Sequence, residues 1–476
     1  MKPLGFAGAT SETGPIGPVA FSALLVLIVT APLMRGGNRQ IALIVLEGIA
    51  LAFLVAIAVR GRQWTGKVPP GWTRALMATL ALSPLWLAVV YLVPIPAATW
   101  SGTAGREVYL QLLQGAGIAP PSWLPLSLVP EATAVSLYAG IPLLAGFLGG
   151  YFASMRQLRV ILGVFALLAF LQVGFGLLQM ATGGSSVLYF GSIGGRPLGT
   201  FANANHFANY VAMGLAAYVW LGWTRVWEAR QDYTEGRASA PPGRQMVPLW
   251  IAGGVLLVLG VLMSRSRGAA LGGLLCGLLA FALALTLGSK RAPRWQTTVA
   301  VVAAAVGAAV SMVGLNFVVT RFELGGLANA ASIRGMLAAN TFDGVAAFWP
   351  WGAGWGTYAV VFPRFQSSAL VGYAEYAHHD YAQLLFEGGV FALLLMAAFA
   401  WLAGARVLLL ARTAIRKHRL GRLELTSAIC GLGLLGFLLH SIVEFNMHIP
   451  ANAIAAALLA GAFLRPLKQD EESTGD

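Results

Sequence analysis

The chain has 476 residues, 58% of them hydrophobic and only 10% charged, with a formal net charge of +13. Soluble domains carry roughly 25% charged and about 45–50% apolar residues, so these totals exclude an ordinary soluble globular domain. The positive balance is assigned to membrane topology, where Lys and Arg collect in cytoplasmic loops, and not to nucleic-acid binding.

Crossing about 30 Å of hydrocarbon takes about 20 apolar residues. Runs of that kind fall near 16–34, 41–59, 74–95, 132–154, 159–181, 206–223, 246–264, 268–287, 296–315, 388–411, 424–443 and 451–466. The predicted fold is therefore all-α, a polytopic membrane protein of about twelve transmembrane helices. The first run is too long for a signal-peptide core and lacks a convincing cleavage site, so it is kept as a helix. Pairs such as Gly149-Gly150 and Gly272-Gly273 let helices approach closely. Cys276 and Cys430 both lie in apolar runs without metal-ligand spacing.

Basic residues orient the chain. With the N-terminus inside, the cytoplasmic loops hold groups such as Arg60, Arg62 and Lys67, or Arg416, Lys417 and Arg419, while outer loops hold fewer. The bias predicts N-in and C-in. Residues 1–315 then form transmembrane helices 1–9 with their outer loops, and 316–387 form a large periplasmic cap. Residues 388–467 form helices 10–12, and 468–476 a polar, disordered cytoplasmic tail. A second outer connection, 96–131, contains Pro120-Pro121 and Pro125, which oppose a continuous helix.

Ionisable groups near membrane helices are costly and mark function. Here they gather on the outer side in four clusters. The first runs from Gly194 to His206 and holds Arg196, Asn203 and Asn205. Arg196 suits bidentate phosphate binding, and either Asn can cap the following helix, whose N-terminus also favours anions. A plain Gly/Asn turn with one snorkelling Arg explains the same composition. The second is Ser264-Arg265-Ser266-Arg267-Gly268, between two spans with almost no loop. Two guanidinium forks there suit a pyrophosphate; two side chains snorkelling to lipid phosphates are the alternative.

The third cluster is Tyr376-Ala377-His378-His379-Asp380-Tyr381, with Glu387 beyond it. A histidine can take a proton from an alcohol, and the neighbouring carboxylate can orient it. A purely structural histidine pair in a wet loop is the main alternative, and metal binding the weaker one, since adjacent ligands point apart on a regular backbone. The fourth, His440 to Pro450, holds Glu444 and His448 four residues apart, on one face if the segment is helical. It reads as a second acid/base pair or, preferably, as support for the cap.

Together these clusters resemble the O-antigen ligase and polymerase superfamily, membrane enzymes of bacterial surface polysaccharide assembly. The resemblance runs from about Gly194 to Asn452. Arg196-Pro197-Leu198-Gly199-Thr200-Phe201-Ala202-Asn203-Ala204-Asn205 is similar to the family's Arg-x-x-Gly-x-Phe-x-Asn-x-Asn. Ser266-Arg267-Gly268 matches its Ser-Arg-Gly step, and Pro350 to Gly356 its Pro-x-Gly-x-Gly turn. His378-His379-Asp380-Tyr381 resembles its His-Asn-x-Tyr signature, with His379 in place of the usual Asn.

The resemblance implies a GT-C-like fold and inverting glycosyl transfer without metal, nucleotide or other cofactor. The donor would be an oligosaccharide on undecaprenyl pyrophosphate, the acceptor a glycan or lipid A core, and membrane lipids the remaining partners. Arg196 and Arg267 would neutralise the leaving pyrophosphate, with Arg265 or Arg334 assisting, and His378 would act on the acceptor hydroxyl. Asn203, Asn205, Tyr381, Glu444 and His448 would complete the substrate site. The competing readings are a flippase of lipid-linked oligosaccharide, disfavoured by spans almost free of charge at mid-depth, and a histidine-dependent membrane acyltransferase.

Overall fold

The computed structural model describes residues 16–59, 71–183, 195–234, 246–288 and 324–467. Those residues are almost entirely helical. α1 (Pro18–Leu33) and α2 (Gln40–Val59) are joined by a tight turn; α3 (Gly71–Ala81) and α4 (Ser83–Leu92) follow. A connection with two short helices, α5 (Ala97–Ser101) and α6 (Glu107–Gly115), leads to α7 (Pro130–Phe152) and α8 (Met155–Ala181). Then come α9 (Ala204–Thr234), α10 (Met246–Met263), a π-helical turn (Ala269–Leu274) continuing into α11 (Leu275–Leu287), and α12 (Leu324–Phe348). α13 (Tyr358–Val361), α14 (Asp380–Lys417), α15 (Arg422–His440) and α16 (Pro450–Leu464) complete the chain. Strictly all-α it is not: Pro94–Pro96 pairs antiparallel with Trp123–Pro125 as a ribbon in the Pro-rich connection.

Six helices are long and apolar enough to cross a membrane, among them α2, α7, α8, α14 and α15, and the π-turn with α11 forms the sixth. α1, most of α10 and α16 are shorter apolar helices. The expected run at 74–95 is not one straight span: it bends by 70° between Ala75–Ala81 and Ser83–Leu92. Pro84 explains the break, since its ring and missing N–H are tolerated only in a first helical turn. A bent pair of this kind brings the span count among the described residues to seven at most by these criteria. The run at 296–315 and the tail at 468–476 lie outside the described residues.

Small residues set the helix crossings. α7 and α16 pack so closely that a Cβ at Gly146 would lie 2.8 Å from the Ile454 carbonyl oxygen. A Cβ at Gly150 would collide with the Leu458 carbonyl oxygen, and one at Gly461 with that of Phe147. These neighbours are backbone and cannot swing aside. Gly150→Leu is therefore expected to destabilise the protein by about 1–3 kcal/mol or more, read as a lowered thermal unfolding midpoint in detergent. An unchanged midpoint would mean that this crossing is looser than its geometry.

Hydrogen bonds between distant segments define the two ends of the bundle. At one end Leu420 N–H donates to Leu287 O (2.9 Å), Trp223 Nε1 to Gly288 O (3.1 Å) and Arg465 Nη2 to Ala153 O (3.0 Å). At the other, Thr200 Oγ1 donates to Pro32 O (2.5 Å) and Asn452 Nδ2 to His206 O (3.1 Å). All four polar clusters have described members at this second end. A separate apolar core, Leu337, Phe348, Ala353, Tyr358, Val361, Phe362, Ala377 and Phe386, is shared by α12, the large loop (residues 349–379) and the start of α14, and joins the three.

The large loop is fixed from both sides. α14 breaks at Gly389, whose φ of 49° and ψ of −131° no other residue adopts easily, and Val390 N–H donates to Pro350 O (2.8 Å) there. Just before the break, buried Glu387 accepts the N–H groups of Gly356 and Tyr358, both at 3.0 Å. From the Pro-rich connection, fully buried Arg106 donates to the Leu126 carbonyl (2.7 Å) and the Gly352 carbonyl (2.8 Å). Every strong donor on that guanidinium meets backbone oxygen, which offsets the cost of burying its charge.

Candidate functional site

The site is built around one carboxylate. α15 stops at His440, residues 441–445 turn, and Asn446–His448 form one 3-10 turn before Pro450 starts α16. Because the chain leaves the helix there, Glu444 and His448 do not share a helical face, contrary to the expectation from their spacing. They serve different networks.

Glu444 is fully buried. Its Oε1 accepts Asn205 Nδ2 and Arg334 Nη2, each at 2.6 Å. Its Oε2 lies 3.3 Å from His378 Nδ1 and 3.5 Å from His206 Nε2. The two imidazole contacts are close enough for ion pairing but fall short of hydrogen-bond geometry. Burial by itself would raise the carboxyl's pKa; the neighbouring His206 and His378 outweigh it and hold the group well below the usual carboxylate range. Phe445 packs edge-to-face with the His206 and His378 rings, at 4.5 and 4.7 Å between centroids, and stacks on Tyr376 at 4.4 Å. Both imidazoles are thus held laterally by one aromatic ring.

His378 itself is a third exposed at its side chain and takes φ = 49°, in the left-handed region. Such a conformation costs a non-glycine residue roughly 1–2 kcal/mol and persists only where the surroundings impose it. Arg265 (φ 58°) and Arg35 (φ 59°) share this feature at the same end of the bundle. The sequence expectation that the adjacent carboxylate, Asp380, orients His378 is not met. Asp380 Oδ1 instead lies 2.9 Å from His448 Nδ1, and its Oδ2 accepts Met447 N–H at 2.9 Å. Gln383 Nε2 reaches His448 Nε2 (3.0 Å) while its Oε1 accepts Ala377 N–H (3.0 Å). With an amide donor on Nε2, the His448 ring places its proton on Nδ1, towards Asp380. This second network clamps the loop that carries His378.

Arg196 begins the loop that leads into α9 and is partly buried. The loop is held by two fully buried glutamines of α8. Gln179 Oε1 accepts Leu198 N–H (3.1 Å) and its Nε2 donates to Gly199 O (2.6 Å); Gln172 Oε1 accepts Thr200 N–H (2.8 Å). The glutamines are seven residues apart, two turns on one helix face. Asn203 caps α9, its Oδ1 accepting Asn205 N–H (2.8 Å), so of the two candidate caps Asn203 serves and Asn205 turns to Glu444.

Arg265 and Arg267 flank Ser266 between α10 and the π-turn, with Arg267 exposed. Ser266 Oγ lies 3.3 Å from His440 Nε2, and Gly268 packs so tightly on His440 that a Cβ would collide with the ring. Tyr381 donates its hydroxyl to Leu438 O (2.8 Å), which anchors the start of α14 to α15. The structure thus brings Arg334, Asn205, His206 and His378 onto Glu444, and sets Arg196, Arg265 and Arg267 at the same end. Among the described residues no group of three or more His, Cys, Asp or Glu side chains is arranged to hold a metal ion.

Sequence reasoning missed His206 and the pair Gln172 and Gln179. Polar residues inside the apolar run at 159–181 were the available signal for the glutamines. His206 stands next to Asn205 in a motif that had been singled out, yet nothing local points it towards Glu444.

A bundle of apolar helices, with its buried histidine and carboxylate network at one end, defines a multi-pass membrane protein. Residues 252–397 match the family model described as O-antigen ligase. The match supports the resemblance to the O-antigen ligase and polymerase superfamily and covers both Ser266-Arg267-Gly268 and His378 to Glu387; Arg196 and Glu444 lie outside it. No curated protein matches the chain.

Proposed function

We propose that the protein is an inverting membrane glycosyltransferase that moves a glycan from undecaprenyl pyrophosphate to an acceptor hydroxyl, on a growing glycan or on lipid A core. The observation that carries this reading is His378: a strained, partly exposed imidazole set against buried Glu444, at the end of the bundle that also holds Arg196 and Arg267. With Nδ1 facing Glu444, Nε2 is the nitrogen left for the acceptor. It takes the hydroxyl proton as the acceptor oxygen bonds to the anomeric carbon. The bond from that carbon to the pyrophosphate oxygen breaks on the opposite face, and its electron pair leaves with the pyrophosphate. Glu444 stabilises the imidazolium so formed.

Charge grows on the leaving oxygen in the transition state, where preorganised guanidinium groups are most effective. Arg196, Arg267 and Arg265 serve there. The Lys and Arg bias of the loops supports a periplasmic position for this end in the bacterial inner membrane, with both termini in the cytoplasm.

Purified full-length protein in detergent, supplied with a labelled lipid-linked repeat unit and an acceptor glycan, is expected to form a new glycosidic bond. A flippase of the same donor forms none. The same assay with EDTA is expected to proceed at an unchanged rate, since no step is assigned to a metal; strong inhibition would overturn the metal-free mechanism.

A further inference from the structure

Glu444 Oε1 has two donors at the same distance, 2.6 Å, but they differ in kind. Asn205 is neutral and fixed in the first turn of α9 by its backbone bond to Asn203. Arg334 is cationic, comes from α12, and has a side chain 44% exposed against 1% for Glu444. Among the described residues, the other titratable groups facing this carboxylate include His378 from the loop before α14, His206 from α9 and His440 from α15, which also feels the Arg334 charge. If the guanidinium swung away, Oε1 would keep the Asn205 hydrogen bond and Oε2 its two imidazoles. Glu444 would not become an unpaired buried charge, which is what ordinarily makes breaking such a pair prohibitive.

A guanidinium fork suits a phosphate as well as it suits a carboxylate. We propose that Arg334 exchanges partners during each cycle: it neutralises Glu444 in the donor-free protein and turns to a pyrophosphate oxygen when the lipid-linked donor arrives. This inference rests on the glycosyl-transfer reading above and adds a coupling to it. Once Arg334 leaves Oε1, the Glu444 charge acts on the imidazoles alone, so His378 holds the proton taken from the acceptor more tightly. The base gains strength only when a donor is present, and the cap helix α12 is drawn towards the donor by the same contact.

The test is a set of steady-state pH profiles on the purified full chain, with the lipid-pyrophosphate-linked glycan as the varied probe. The acid limb of kcat/KM reports the free protein and that of kcat the donor-bound one. In the unsubstituted chain the kcat limb is expected to lie about one pH unit above the kcat/KM limb. Arg334→Gln is expected to raise the donor KM about tenfold and to bring the two limbs together at the higher pH, because Glu444 is then never neutralised. Arg334→Lys, which keeps the charge, should preserve the separation. Coincident limbs in the unsubstituted chain overturn the exchange, as does an Arg334→Gln variant with unchanged donor KM; a merely structural latch gives both. Should Arg334→Gln fail to fold, the unsubstituted and Lys profiles still decide. Absence of any glycosidic product from the unsubstituted chain is a different failure, that of the glycosyl-transfer reading itself.

Discussion

Replacing His378 by alanine is expected to lower the rate of glycan transfer by about 10²–10⁴-fold while leaving donor binding intact, because only the acceptor's proton loses its destination. The backbone at this position separates chemistry from folding. At φ = 49° the native histidine is strained, so His378→Gly, which loses the same side-chain contacts as the alanine variant, is expected to be about 1 kcal/mol more stable than it while losing the same activity. His378→Asn, a residue that tolerates the left-handed region, removes the base without a change of backbone preference. Transfer assays with labelled donor, paired with thermal unfolding of the same samples, check both. Full activity in the alanine variant would remove His378 as the base and turn attention to His448.

Replacing Glu444 is expected to have the largest effect on stability. Four groups lose their common partner at once: Arg334, Asn205, His206 and His378. Removing one member of a buried charged network costs about 3–5 kcal/mol, so Glu444→Ala is expected to lower the unfolding midpoint sharply and to abolish transfer by releasing His378. Glu444→Gln keeps the shape, but its amide turns a donor towards groups that are themselves donors.

The pH dependence has a definite sign. The folded-state pKa of Glu444 lies well below its ordinary value of 4.5. Its ionisation therefore stabilises the fold above that value, and the contribution is lost as the pH falls through the lower, folded one. The difference in unfolding midpoint between the native chain and Glu444→Gln should narrow on acidification below about pH 4. A gap that stays constant across this range would show that the Glu444 charge contributes nothing.

Interruptions in the helices show where local reading ends. The 74–95 run is apolar throughout, and only the placement of Pro84 inside it announces the 70° bend. The 388–411 run belongs to a helix that starts eight residues earlier and breaks at Gly389, because the Pro350 carbonyl of the large loop must reach Val390 N–H. No pattern in either segment alone specifies that meeting. Likewise Asp380 beside His378 in sequence suggested an oriented base, yet the fold gives Asp380 to His448 and Glu444 to His378. Neighbours in sequence on an irregular backbone diverge, whereas partners come from chain ends brought together by helix packing.

What the sequence determined by itself was the solvent and the chemistry available. Apolar runs of membrane length make helices obligatory, since an unpaired backbone group in hydrocarbon is too costly, and that requirement is local. The guanidinium, imidazole and carboxylate groups were likewise visible as rare charges beside those runs. Which of them meet was decided only by tertiary structure. Glu444 gathers Asn205, Arg334, His206 and His378 from three distant segments because glycine-lined crossings such as that of α7 with α16 fix where each helix ends, and contacts of that range leave no periodic trace in the chain.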